Sequence, residues 1–165
     1  MEKIEKSSKK TIIIRIILFI LICIWAYIVF NFSSQNGDES SGLSRKVTEF
    51  FIKDEKLVQI VEPYVRKIAH FSEYALGGML FVSLFSTFKW TDKGIMITSG
   101  LLGIWYAITD EFHQLLVPDR HGSIFDVYID SLGFFTGVCV MMIILKIAQI
   151  IINKNGNSKG EISKW

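Results

Sequence analysis

The sequence predicts an all-α integral membrane bundle of four transmembrane helices, with one amphipathic helix connecting the first two on the outer side. Three observations predict it. Mean hydropathy is +0.39 and 50% of the 165 residues are hydrophobic. Those residues stand in four blocks, whereas a soluble domain scatters them. The charged residues gather between the blocks or at their ends. Two prolines and 12 glycines exclude a collagen-like or Pro-rich chain. Two cysteines, Cys23 and Cys139, exclude a disulfide scaffold and a Cys-rich zinc module. A net charge of +2 gives no footprint for nucleic acid, so no nucleic-acid partner is expected.

Residues 1–11 form a basic N-terminus, with Lys3, Lys6, Lys9 and Lys10. The first span is 12–32, interrupted only by Arg15. A helix of that length is about 31 Å long, close to the roughly 30 Å of a bilayer core. The apolar core is too long for a signal peptide, and Asn31 to Gln35 is not a cleavage site of the A-x-A kind. Residues 33–67 form the outer segment. Within it Leu43, Val47, Phe50, Leu57 and Val61 recur at helical spacing, which predicts an amphipathic helix ended at Glu62-Pro63. Such a helix would lie on the membrane surface or over the outer ends of the spans.

The second span is 68–88, with His70 and Glu73 near its start. Thr91-Asp92-Lys93-Gly94 reads as a tight inner turn. The third span is 94–116 and becomes charged only at Asp110 and Glu111. Pro118 stops it. Ser123 and Asp126 have capping-box spacing for the fourth span, 127–152. Residues 153–165 form a polar cytoplasmic tail, expected to be disordered after Gly156. Cys23 and Cys139 sit mid-span and are expected to be inert buried thiols. Trp105 and Tyr106 read as packing or interface aromatics.

Lysine and arginine counts orient the bundle. One side holds the basic residues of 1–15 with Lys89, Lys93, Lys146, Lys154, Lys159 and Lys164. The other holds Arg45, Lys46, Lys53, Lys56, Arg66, Lys67 and Arg120, a smaller set. The first side is therefore cytoplasmic, with both termini on it.

Polar residues within spans are costly and usually functional. Here they collect at the outer ends. Arg66, His70, Glu73 and Gly77 share one face of the second span. Gly103, Ala107, Asp110 and Gln114 do so on the third, and Asp126, Asp130, Gly133 and Gly137 on the fourth. The polar faces are expected to meet in an outward-facing pocket closed below by close glycine packing. Five acids, Glu73, Asp110, Glu111, Asp126 and Asp130, stand against Arg66, Lys67 and Arg120. That excess points to a cationic ligand, a metal or protonated carboxyls. The competing reading is that the charges only pair with one another and lock the bundle.

Phe32-Ser33-Ser34-Gln35, Arg66-Lys67-Ile68-Ala69-His70-Phe71-Ser72-Glu73-Tyr74 and Asp110-Glu111-Phe112-His113-Gln114 together resemble the VanZ-like family. So does the run from Pro118 to Asp130, with Asp119 where the pattern often has Gly. The resemblance covers about residues 10–150. It implies a small bacterial integral membrane protein tied to the cell envelope. The family takes its name from a protein tied to resistance to the glycopeptide teicoplanin. The resemblance supplies no reaction.

Two functions follow as expectations. The first is a binding protein for an envelope lipid, a wall precursor or a lipopeptide. Its pocket would comprise Ser34, Gln35, Arg66, Lys67, His70, Glu73, Tyr74, Asp110, Glu111, His113, Gln114, Arg120, Ser123, Asp126 and Asp130. The second is an intramembrane hydrolase acting on an envelope lipid. His70, Glu73, Asp110, His113 and Asp126 are then candidate ligands of a divalent metal, and Glu111, His70 and Asp110 candidate catalytic groups. Neither H-E-x-x-H nor a nucleophile elbow occurs, so whether the protein is an enzyme stays open.

Overall fold

The computed structural model describes residues 2–35, 37–118 and 122–162, with side chains over 8–35, 42–118 and 122–154. Among the described residues there are five helices and no strand. They are α1 (Glu2–Ser33), α2 (Gly37–Phe51), α3 (Glu55–Phe85), α4 (Asp92–Gln114) and α5 (Ile124–Ile162). Three contain stretches long and apolar enough to cross a membrane: Ser8–Ser33, Glu55–Phe85 and Ile124–Lys154.

Several boundaries depart from the sequence expectation. The outer segment was expected to hold one helix ending at Glu62-Pro63. The break instead falls at 52–54, and α3 begins at Glu55 and runs through Pro63. Asp54 decides this: its side chain accepts from the amides of Lys56 and Leu57, capping the new helix. At 31 residues α3 is about 46 Å long, so it projects well beyond a bilayer core. The expected inner turn at Thr91–Gly94 is a capped helix start, with the Thr91 hydroxyl accepting from Gly94 N at 3.1 Å. α5 continues past 152 to Ile162, through Gly156. A single glycine weakens a helix by about 1 kcal/mol without ending it.

The core lies where α3, α4 and α5 meet, with Trp25 and Val29 of α1 added from one side. Glycines set its spacing. A Cβ on Gly137 would strike the carbonyl oxygen of Ala75, and one on Gly133 that of Phe71. A Cβ on Gly78 would strike the carbonyl of Phe134 from the opposite direction. Backbone faces backbone, so α3 and α5 are fixed at a separation that no side chain permits. Trp25 fills the space over Gly77 and donates its indole N–H to the Glu73 carbonyl at 2.8 Å. Tyr106 of α4 donates to the Ala26 carbonyl at 2.9 Å. Arg15, the one charge of the first apolar block, donates to the side chain and carbonyl of Thr87 just beyond α3. It also lies 4.0 Å from the Phe88 ring centre, which makes it a terminal anchor.

Cys23 is exposed on α1 and Cys139 is half-buried, so the expectation of two buried thiols fails for Cys23. Helical position fixes which way a side chain faces, and depth along the span does not.

Candidate functional site

The polar residues do gather at one end of the bundle, the end that carries α2. The structure divides them into three groups.

The first group lines a cavity of about 160 Å³ between α1, α2 and α3. Gln35, Arg66, His70 and Glu73 are in it, as expected. Phe32, Leu43, Ser44, Val47, Val65 and Ala69 complete it. The α2 contribution was missed from the sequence. Ser44 donates to Glu62 at 2.7 Å, which holds α2 against α3. The repeating small polar residues Ser44 and Thr48 were the available signal, because both are buried against the protein.

The second group is packed between α3, α4 and α5. Tyr74, Asp110, Glu111, Gln114 and Asp130 are all buried. Asp130 lies within electrostatic reach of Asp110, Glu111, Asp126 and Glu73. Tyr74 is within electrostatic reach of Asp110 and Asp130. Gln114 donates to Asp110 at 3.3 Å, one turn apart on α4. These acids are part of the helix interface and do not line the cavity. Glu73, which lines the cavity, interacts with Asp110 of this group.

The third group lies at the rim. Lys67 bonds Asp126 at 3.1 Å and sits 4.5 Å from the Phe125 ring centre. His113 is hydrogen-bonded to Ser34 at 3.0 Å and stacked on Phe30 at 4.4 Å, tying the end of α4 to that of α1. The capping box is only half realised. Ser123 Oγ accepts from Phe125 N at 3.2 Å, but Asp126 turns to Lys67 instead of back to Ser123. The Ser123 amide donates to Glu111. Glu111 thus performs, from α4, the task that local spacing assigned to Asp126. Arg120 and His121 lie outside the described residues.

Among the described residues no group of three or more His, Cys, Asp or Glu is arranged to hold a metal ion. Of the candidate ligands, His113 is engaged with Ser34 and Asp126 with Lys67. His70 and Glu73 face the cavity, while Asp110 is buried with Gln114.

The family model VanZ/LLP1 matches residues 18–146. The chain belongs to the VanZ/LLP1 family. That span takes in the whole of α2, α3 and α4, and every side chain of the three groups. No curated protein and no solved structure matches the chain. Family membership and its long apolar helices make it a membrane protein.

Proposed function

We propose that this is a four-span bacterial membrane protein that binds an envelope lipid, wall precursor or related lipopeptide at the α2 end, which faces outward. α4 serves as the fourth span. Its 23 residues reach about 35 Å, and its charges lie at its two ends. The larger count of lysine and arginine at the other end supports cytoplasmic termini. Labelling of Ser40→Cys from outside intact cells, with Asp92→Cys labelled only after lysis, is the expected pattern.

The observation that carries the binding reading is the composition of the cavity. Arg66, His70 and Glu73 line one wall, and Phe32, Leu43 and Val47 another. A site of that kind suits a molecule with a charged part and a hydrocarbon part. The purified chain should retain a component of a solubilised bacterial envelope-lipid extract. His70→Ala and Glu73→Gln should lose it. Equal retention by all three proteins would end this reading. A role in tolerance of teicoplanin-like antibiotics rests on the family name and belongs to the same proposal.

His70 and Glu73 together in the cavity, with Glu73 interacting with Asp110, favour a second reading, an intramembrane hydrolase. A divalent metal held by those candidate ligands would supply an activated water. Stoichiometric zinc, iron or manganese in the purified protein, lost on His70→Ala, is the result this reading requires.

A further inference from the structure

α2 is oriented against the habit of a soluble surface helix. Ser44 and Thr48 face the protein, while Phe50 and Phe51 are 76% and 79% exposed. The inward polar groups are satisfied: Ser44 bonds Glu62, and Thr48 donates to the Ser44 carbonyl at 2.8 Å. In water such an apolar stripe would be an aggregation liability. In a lipid headgroup layer it is the arrangement of an interfacial helix. Leu57, Ile60 and Tyr64 of α3 and Phe30 of α1 are exposed as well. These are flanks of helices that cross the bilayer. Leu43 and Val47 belong to both surfaces, because they line the cavity and are also about half exposed. A lipid lying along α2 therefore meets the cavity with no protein wall between.

Building on the binding reading above, we infer that the cavity is a lateral site for one anionic phospholipid of the surrounding leaflet, its phosphate on Arg66 and part of one chain along Phe32, Leu43 and Val47. The size fits partial entry. About 160 Å³ is close to the roughly 150 Å³ of an engineered apolar cavity that takes up benzene. That is room for a short length of chain, and the remainder of the lipid stays in the bilayer. Arg66 carries five donors, so its planar guanidinium can hold phosphate oxygens in addition to the contact it already makes. Lys46, on the adjoining surface hollow with Gln35 and Leu43, adds a second positive charge at the mouth. Glu73 lies about 10 Å farther along α3, so a phosphate at Arg66 stays clear of its carboxylate.

The test is native mass spectrometry of the full chain in detergent micelles. The probes are dioleoyl phosphatidylglycerol, dioleoyl phosphatidylcholine and inorganic phosphate. The chain should keep one phosphatidylglycerol about tenfold more strongly than phosphatidylcholine, the scale of one charge-assisted contact. Arg66→Gln should remove that preference, and Lys46→Gln should reduce it, which covers failure of the first variant to fold. Val47→Trp, filling the cavity, should weaken both lipids. Phe50→Ala, outside it, should change neither. Three results would overturn the inference. One is no head-group preference. Another is equal damage from Phe50→Ala and Val47→Trp, which marks ordinary annular lipid. The third is displacement by inorganic phosphate, which marks a free-anion site. If the envelope extract is retained while phosphatidylglycerol is not, this inference falls and the broader binding reading stands. If neither is retained, both fall.

Discussion

The interface of α3 with α5 and that of α3 with α2 are built on opposite principles. The first is backbone against backbone. Gly78, Gly133 and Gly137 each leave no room for a Cβ, and the atoms they face are carbonyls that cannot move aside. The second is held by polar side chains, Ser44 on Glu62 and Arg45 on Glu55, with a cavity beside it, and Arg45 also pairs with Glu49 inside α2. Arg45 is exposed, and its two carboxylate partners hold its guanidinium above the usual arginine pKa. Arg45 is charged across the accessible pH range in either state, so this shift gives the contact no pH switch. The difference teaches where rigidity is placed. The acid-rich interior needs helices held at fixed separation, since isolated charges there would be costly. The α2 side keeps an opening.

Substitutions can break or sharpen this contrast. The largest effect is expected for Gly137→Leu and Gly133→Leu, which should remove most folded protein, a cost of roughly 3 kcal/mol or more. Size-exclusion yield after detergent extraction measures it, with Cys139→Leu as the tolerated control. Comparable yields for all three would mean that α5 does not press its glycines against α3.

Trp25→Ala should come next, at about 3–5 kcal/mol, because it empties the space over Gly77 and frees the Glu73 carbonyl. Thermal unfolding followed by near-UV circular dichroism reads it. A small change there would show that α1 is only loosely attached to α3.

Glu111→Gln should cost about 1 kcal/mol, since the amide oxygen still accepts from Ser123 N–H. Retention of the envelope-lipid component should be unchanged, as for Asp126→Asn, because neither residue lines the cavity. Loss of retention would show that the cavity and the buried acids act as one site.

Smallest is Lys67→Met. The Lys67–Asp126 pair is 40% exposed on each side, so solvent screening limits it to about 0.5 kcal/mol. A large loss of thermal stability would place this rim pair among the rigid parts of the molecule.

The contrast also shows how far the residues could be read without coordinates. The helical spacing of His70 with Glu73, and of Asp130 with Gly133 and Gly137, correctly grouped polar and small residues on shared faces. Periodicity specifies a face because each helix fixes its own side-chain directions. It does not specify the neighbour that the face meets. Glu111 and Asp126 illustrate this. Local spacing gave the Ser123 amide to Asp126, but Lys67 took Asp126 and Glu111 took the amide.

The sequence alone determined an all-helical membrane chain, the order of its helices and the gathering of its polar groups at one end. Composition and period carry those properties, and both are local. Tertiary structure decided three other things. α3 began at Glu55 behind the Asp54 cap and ran on through Pro63. The polar set split into a cavity and a buried cluster. α2 turned its apolar side outward. Each depends on which helix surfaces come within contact distance, and close packing of glycine backbones settles that across stretches of chain far apart in sequence.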